Sequence, residues 1–169
     1  FIFAFPFILW EIWKFISPAL YEKEKKYAAS FIIISSFLFF VGVLFGYYLI
    51  APLSVQFFAS YIVSPEISNS IDIDSYISLM KTSAIASGLL FELPIIIFFL
   101  TKIGLVTPEF LRKYRKYTLV VVLIVAAVIT PPDVLSQIIV TIPIMILYEA
   151  SILISVLVIK SQEKEKLKA

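Results

Sequence analysis

Long apolar runs separated by short charged stretches divide the chain into five segments. They predict transmembrane helices at residues 1–15, 28–50, 82–101, 117–130 and 134–159. A helix that crosses the hydrocarbon core needs about 20 residues, at about 1.5 Å each. Segment 82–101 meets that length, whereas segment 117–130 spans only about 21 Å. We therefore predict an all-α polytopic bundle whose last two spans are short, which would thin the bilayer locally.

Two prolines and the first residue of the chain modify the prediction of five segments. Pro6 is predicted to kink the first segment, and Pro52 is predicted to interrupt the second helix beyond Ile50. The chain opens at Phe1 within an apolar run, without the basic lead of a signal peptide. We therefore expect one further span upstream, which gives six in all, and a single transmembrane domain that includes residues 1–169.

Composition supports lipid as the solvent. Hydrophobic residues make up 61% of the chain and charged residues 15%, with a mean hydropathy of +1.02. Soluble domains are about half apolar and about a quarter charged, so this surplus exceeds what one globular core can bury. The absence of His and Cys excludes the usual zinc sites and thiol or imidazole nucleophiles. We expect no metal, no cofactor and, with a net charge of +2, no nucleic acid partner.

Charge orients the predicted spans. Of the 14 basic residues, 13 lie in the connections after the first and third segments or at the C-terminal end. Lys81 lies on the other side, together with Glu66, Asp72, Asp74 and Asp133. Because basic loops stay in the cytoplasm, these connections and a polar tail at residues 160–169 are predicted to be cytoplasmic.

Glu92 is the acidic residue predicted to lie near the middle of the bilayer, 11 residues after Lys81 and 10 before Lys102. A charged side chain there is unfavourable by about 2.5–3.5 kcal/mol. We expect Glu92 to face other helices, a wet cavity or a partner, and we interpret it as functional. The alternative is a neutral glutamate that is hydrogen-bonded for packing alone. Glu149, nearer the cytoplasmic edge, is interpreted as a snorkelling or capping carboxylate.

Two polar connections contain candidate binding groups. In loop 17–26, Glu22 and Glu24 could accept paired hydrogen bonds from arginines, although spacing alone favours a solvated turn. At the opposite face, Asp133 is predicted to cap the following helix. Thr130 and Gln137 lie at the tips of two helices, where a partner helix could form hydrogen bonds within lipid.

A third connection predicts a helix start. Thr107 is predicted as the N-cap, with Pro108 at the first helical position. The basic cluster at residues 112–116 is interpreted as an orientation signal that touches anionic headgroups.

Five sequence blocks occur together in one order along nearly the whole chain. They are 13–26 (WKFISPALYEKEKK), 91–94 (FELP), 104–109 (GLVTPE), 112–117 (RKYRKY) and 130–137 (TPPDVLSQ). Together they resemble the TatC family, the multi-spanning receptor of the twin-arginine protein translocase. The resemblance implies six spans with both termini in the cytoplasm of a prokaryotic cell, which agrees with the charge distribution.

The resemblance also implies a function and its residues. Twin-arginine signal peptides of folded cargo proteins would bind Glu24 in the first cytoplasmic loop and Phe15 at the end of the preceding helix, with Glu22 as a second candidate. Glu92 would be a functional carboxylate within the membrane. Single-span TatA/TatB-type subunits would contact the outer hairpin. The other predicted signal-peptide residues are Pro18, Leu20 and Tyr21, and the predicted partner contacts are Thr130, Gln137 and Asp133.

Two classes of function remain open at this stage. The first is a non-enzymatic receptor and core subunit that contacts membrane lipid and forms a homo-oligomer in its complex. The second is an ion-coupled solute transporter with Glu92 as proton carrier. Such transporters usually contain internal repeats and paired broken helices, and the sequence contains no convincing repeat.

Overall fold

The computed structural model describes residues 2–16, 28–60 and 72–166. Within these ranges the chain forms seven α-helices and no strand. A π-helical turn, Gly46–Ile50, joins the second helix to the third. The helices are α1 (Phe5–Ile16), α2 (Ala28–Phe45), α3 (Ala51–Ser60), α4 (Ile73–Phe91), α5 (Leu93–Lys102), α6 (Pro108–Ile129) and α7 (Val134–Lys166).

Three helical stretches of the described chain are long and apolar enough to cross a membrane. They are Phe31–Ser60, Ile73–Lys102 and Val134–Lys164. The prediction of an all-α membrane protein is therefore confirmed, while the number of five spans stays a prediction. The prediction that the last two spans are short stays a prediction, although the helices that contain them are longer, with 22 residues in α6 and 33 in α7. Polar and charged residues extend each helix beyond its apolar part.

The prolines act differently from the prediction. Pro6 is the second residue of α1, so it begins that helix instead of kinking it. Pro52 does not stop the second span, since the helix continues to Ser60. Proline has no N–H to donate and crowds the carbonyl one turn earlier. The π turn just before it, in which Ala51 N–H donates to Gly46 O, widens the helix at this point.

The third predicted segment begins earlier and is broken. Its helix begins at Ile73, with Asp72 in extended conformation before it, and ends at Phe91. Glu92 then forms a turn, and α5 follows with Pro94 in its first turn. Because Pro94 lacks an N–H, the hydrogen-bond ladder of α4 cannot run through this point. The break places Glu92 between two helices.

Helices α2 and α4 cross at close range through small residues. Gly42 and Gly46 form a Gly-x-x-x-Gly pair, and they face Ser83, Ala84 and Ser87 on α4. A Cβ atom at Gly46 would lie 2.4 Å from Ser83 O. Small residues spaced four apart let helix backbones approach closely within lipid, where packing rather than the hydrophobic effect holds helices together.

A second group of helices, α5, α6 and α7, is held together by buried polar contacts. Thr101 on α5 donates to Ser155 Oγ on α7 at 2.9 Å. Tyr148 on α7 donates its hydroxyl to Leu111 O on α6 at 2.8 Å. Near the end of α7, Gln162 donates to Lys102 O at 3.0 Å, which satisfies a carbonyl at the C-terminus of α5. These contacts align one end of all three helices.

The described basic residues, apart from Lys81, gather at one end of the bundle. The end of α1 meets the start of α2 and the end of α5 through Trp13, Phe31 and Phe99. The start of α6 and the end of α7 join the same end through the contacts of Leu111 and Gln162. At the opposite end, Asp74 on α4 and Ile129 on α6 line one groove. The fold therefore separates a basic end from an end that holds Asp74 and Asp133.

Candidate functional site

The predicted signal-peptide residues lie only partly in the described chain. Phe15 is in the last turn of α1, and its side chain is 87% exposed. Next to it, Lys14 forms an ion pair with Glu11 at 2.7 Å. Phe15 is thus available for contact at the basic end. The remaining predicted residues, Pro18, Leu20, Tyr21, Glu22 and Glu24, lie outside the described residues.

An aromatic cluster joins the helix ends on either side of residues 17–27. The ring centroids of Trp13 and Phe31 are 5.1 Å apart, and those of Phe31 and Phe99 are 4.7 Å apart. Trp13 belongs to α1, Phe31 to α2 and Phe99 to α5. Such aromatic pairs contribute about 0.5–1.5 kcal/mol beyond the area they bury. The cluster therefore holds both ends of the loop against a third helix.

Glu92 is buried between helices, with a 7% exposed side chain. Ser35 of α2, which is fully buried, donates its hydroxyl to Glu92 Oε2. The other carboxyl oxygen, Oε1, is also buried and has no hydrogen-bond partner in the described part of the chain. The prediction that Glu92 faces other helices agrees with this placement. No pattern in the sequence indicated that Ser35 would be its partner.

An unpartnered buried oxygen is unfavourable by about 1–3 kcal/mol. In lipid no surrounding water can compensate for it. Packing of α2 against α4 does not by itself require a group as polar as the Glu92 carboxyl, because two serines in contact would fill the same kind of gap. The arrangement leaves one carboxyl oxygen available to a hydrogen-bond donor from outside the described helices.

The hairpin between α6 and α7 is capped as predicted. Asp133 Oδ2 accepts hydrogen bonds from both the N–H and the hydroxyl of Ser136, each at 2.9 Å. At the other end of α6, Phe110 N–H donates to Thr107 Oγ1 at 3.2 Å, which confirms that cap and the place of Pro108. Both caps satisfy donors that a helix start leaves free.

Thr130 and Gln137 are used within the chain. The Thr130 hydroxyl donates to Ala126 O at 2.9 Å, and its side chain is buried. Gln137 donates from Nε2 to Leu123 O at 2.8 Å, which ties the start of α7 to α6. The structure brings both residues and Asp133 into one hairpin, and a contact with a partner subunit stays a prediction.

An ion pair between α6 and α7 was not predicted. Arg115 Nη2 and Glu149 Oε2 lie 2.6 Å apart, and both side chains are about half exposed. Glu149, which was interpreted as a snorkelling or capping carboxylate, is thus paired with Arg115. Exposed pairs of this kind contribute at most about 1 kcal/mol. The pair still places Arg115 and Glu149 at the same depth in the bundle. The charge-free stretches 117–129 and 134–148 lie between this pair and the hairpin that joins α6 to α7.

The pKa of Asp133 makes the hairpin cap sensitive to acid. The backbone N–H of Ser136, followed by its hydroxyl, holds that pKa below the ordinary value of 3.8. Because the pKa is lowered in the folded protein, the ionised Asp133 stabilises the fold above pH 3.8. This stabilisation is lost as the pH falls through the lower pKa of the folded protein. We expect Asp133→Ala to unfold more easily than Asp133→Asn at neutral pH, since asparagine also caps helices.

The measurement is the thermal midpoint in detergent between pH 5 and pH 2. The advantage of the wild type over Asp133→Asn should shrink towards pH 2, because only the carboxylate titrates. A gap that does not change over this range would contradict the assignment of the cap.

Apolar helices of membrane length and a carboxylate buried between them define a polytopic α-helical membrane protein. The family model described as Sec-independent protein translocase protein (TatC) matches residues 1–143. A TatC protein of Blattabacterium sp. subsp. Periplaneta americana is 46% identical over 162 residues, which are 96% of this chain and 61% of the relative. TatCy of Bacillus subtilis is 46% identical over 150 residues, covering 89% and 59%. This chain belongs to the TatC family.

Comparison with solved structures supports the same conclusion. A crystal structure of the twin-arginine translocase receptor TatC matches with a TM-score of 0.74 and 38% identity. The match covers 94% of this chain and 69% of that one. The chain spans about three-fifths of the length of the two relatives from Blattabacterium and Bacillus.

Proposed function

We propose that this chain is part of the receptor and core subunit of a twin-arginine translocase, which moves folded proteins across a prokaryotic cytoplasmic membrane. The family match over residues 1–143 carries the proposal, because that range contains the first loop, Glu92 and the outer hairpin. The same match favours a receptor over an ion-coupled solute transporter. In this role the protein acts by binding and scaffolding rather than as an enzyme.

The basic end of the bundle is proposed to face the cytoplasm, with the C-terminal end of α7 on that side. The gathering of cations at the ends of α1, α5 and α7 and at the start of α6 supports this orientation. Asp74 and Asp133, at the opposite end, would then face outward. The first loop would meet incoming signal peptides from the cytoplasmic side.

Signal-peptide binding is proposed at Glu24, with Glu22 as a second acceptor. A carboxylate and a guanidinium can form two parallel hydrogen bonds, which gives geometric selectivity for arginine over lysine. Phe15 offers an exposed ring beside the loop, and Pro18, Leu20 and Tyr21 complete the proposed site. The cluster of Trp13, Phe31 and Phe99 supports the proposal, because it fixes the helix ends from which the loop leaves.

Partner subunits are proposed to meet the chain at two depths. Thr130, Asp133 and Gln137 form a polar hairpin at the outer end, where single-span TatA/TatB-type subunits would contact the protein. Glu92 lies deeper and keeps one unpartnered carboxyl oxygen for a donor from a partner helix or a signal peptide. Several copies of the protein would assemble in the active complex.

Photo-crosslinking of a twin-arginine signal peptide to the full-length protein in membranes tests the proposal. We expect Glu24→Ala to reduce the crosslinked product about tenfold or more, because a charged hydrogen bond contributes about 1.5–3 kcal/mol. Glu22→Ala removes the same charge at the proposed second acceptor, and comparison of the two variants shows which carboxylate holds the arginines. A signal peptide with paired lysines should give little product with any variant.

Loss of product with Glu24→Ala alone supports the assignment of the site. Equal products from the wild type and both variants would remove it. Uptake of a small solute by the purified protein in vesicles, dependent on Glu92, would favour the transporter instead.

A further inference from the structure

The first two turns of α6 carry a cluster of cations that the proposed function does not use. Arg112, Lys113 and Lys116 are exposed and form no ion pair in the described part of the chain. Arg115, in the same turns, is occupied by Glu149. Glu109 is the one acidic side chain in these turns, and it lies a turn further from the apolar part of the helix. Lys113 Nζ lies 5.9 Å from the centroid of the Tyr114 ring. Three cations without an ion pair among the described residues therefore occupy about 6 Å of helix length.

A row of aromatic rings runs beside these cations. Phe110 and Tyr114 have ring centroids 4.5 Å apart, and Tyr114 and Tyr117 are 5.7 Å apart. Their spacing of four and three residues places them on one helix face. Tyr117 is 68% exposed, so the row is open to its surroundings. Tyrosine beside lysine is typical of the interface between water and the acyl chains.

The same outward side of α6 continues as a purely apolar surface. Val120, Ile124 and Val128 follow the row of rings and are all exposed, with Val128 at 82%. The core face of the helix is different, because Leu111, Val122 and Ala126 are buried. Cations, rings and apolar side chains thus follow one another in the order of a phospholipid's headgroup, interface and acyl chain.

We propose that this outward surface of α6, residues 110–128, is a binding site for an anionic phospholipid. Its phosphate and anionic headgroup are held by Arg112, Lys113 and Lys116, and its acyl chains lie along Val120, Ile124 and Val128. The Arg115–Glu149 pair fixes the depth of the site, because it ties the cationic turns to α7. A zwitterionic lipid carries its own cation and gains less from the same three side chains.

Depth separates this cluster from the other cations of the basic end. Lys113 and Lys116 lie within one turn of Arg115, at the end of the charge-free stretch. Lys160 lies 11 residues beyond Glu149 on α7, or about 16 Å further along the helix. The Debye length at physiological salt is about 8 Å, so the exposed Lys160 and Lys164 act weakly on headgroups at the level of Arg115.

Photoactivatable phosphatidylglycerol and phosphatidylcholine, each in nanodiscs with the full-length protein, test the site. Chymotryptic peptides from residues 110–128 should carry at least fivefold more phosphatidylglycerol than phosphatidylcholine. A lysine near an anionic surface changes association about fivefold. Two such factors multiply to about 25-fold, so the pair Lys113→Gln/Lys116→Gln should reduce a fivefold preference to parity. The control Lys160→Gln/Lys164→Gln removes the same charge and should leave the preference unchanged.

Equal labelling of residues 110–128 by the two lipids in the wild type overturns the proposal, whatever the variants do. An equal loss of preference in both double variants also overturns it, since net charge rather than a site would then be responsible. Preference lost only with Lys113→Gln/Lys116→Gln supports it. The labelling of the wild type does not depend on how either variant folds.

Discussion

Gly46→Ala is expected to force α2 and α4 apart and to lower the free energy of unfolding by about 3 kcal/mol. A Cβ atom at this position would lie 2.4 Å from Ser83 O and 2.8 Å from Ala84 Cα. Both atoms belong to the backbone of α4, so no side chain can rotate away. Overpacking of this kind usually costs about 1–3 kcal/mol, and a clash with rigid backbone belongs at the upper end.

The direction of the change in the free energy of unfolding distinguishes a close helix crossing from an uncrowded helix. In an uncrowded helix, Gly→Ala stabilises by up to about 1 kcal/mol, because alanine has the higher helix propensity. Gly88→Ala is the matched control, since its Cβ would meet the Phe39 ring at 2.7 Å and the Val43 methyl at 2.9 Å. These atoms belong to side chains rather than to backbone, so we expect a smaller loss. Reversible unfolding in mixed micelles measures both, and a Gly46→Ala protein as stable as the wild type would contradict the close crossing.

Local signals in the sequence were sufficient where a residue's structure depends on its near neighbours. Thr107 with Pro108, and Asp133 with Ser136, form the predicted caps because all the groups involved lie within one turn. The same reasoning was wrong at Pro52. A π turn accommodates that proline, and the same turn contains Gly46, which packs closely on α4.

Contacts between distant segments mark the limit of what the sequence predicted in the candidate site. Glu92 was identified by its depth and by the resemblance to the TatC family, but its partner Ser35 lies 57 residues away. The Arg115–Glu149 pair, 34 residues apart, could not be separated from other charges near the interface. The crossing of α2 and α4 did leave a readable signal, since Gly42 and Gly46 form the small-residue pair of close membrane helices. The glycine pair alone did not indicate which helix would pack against it.

Glu92→Met is expected to reduce transport of twin-arginine cargo at least tenfold, while changing the free energy of unfolding by less than about 1 kcal/mol. Methionine fills a similar volume without a polar group, so it removes the unpartnered Oε1, an orphan that costs about 1–3 kcal/mol. The released Ser35 hydroxyl can donate to the main-chain carbonyl one turn earlier in α2. Stability and function should therefore separate at this residue, as they do where a protein maintains a costly group for its activity.

A purely structural glutamate would behave in the opposite way. Loss of the Ser35 contact would then destabilise the α2–α4 crossing, and the transport defect of Glu92→Met would follow the unfolding. Ser35→Ala is the control, because it removes the same hydrogen bond and keeps the carboxyl group. Export of a folded reporter in cells and unfolding of the purified protein are measured on the same variants. Normal export with Glu92→Met would exclude a functional role, since the buried carboxyl group would then serve packing alone.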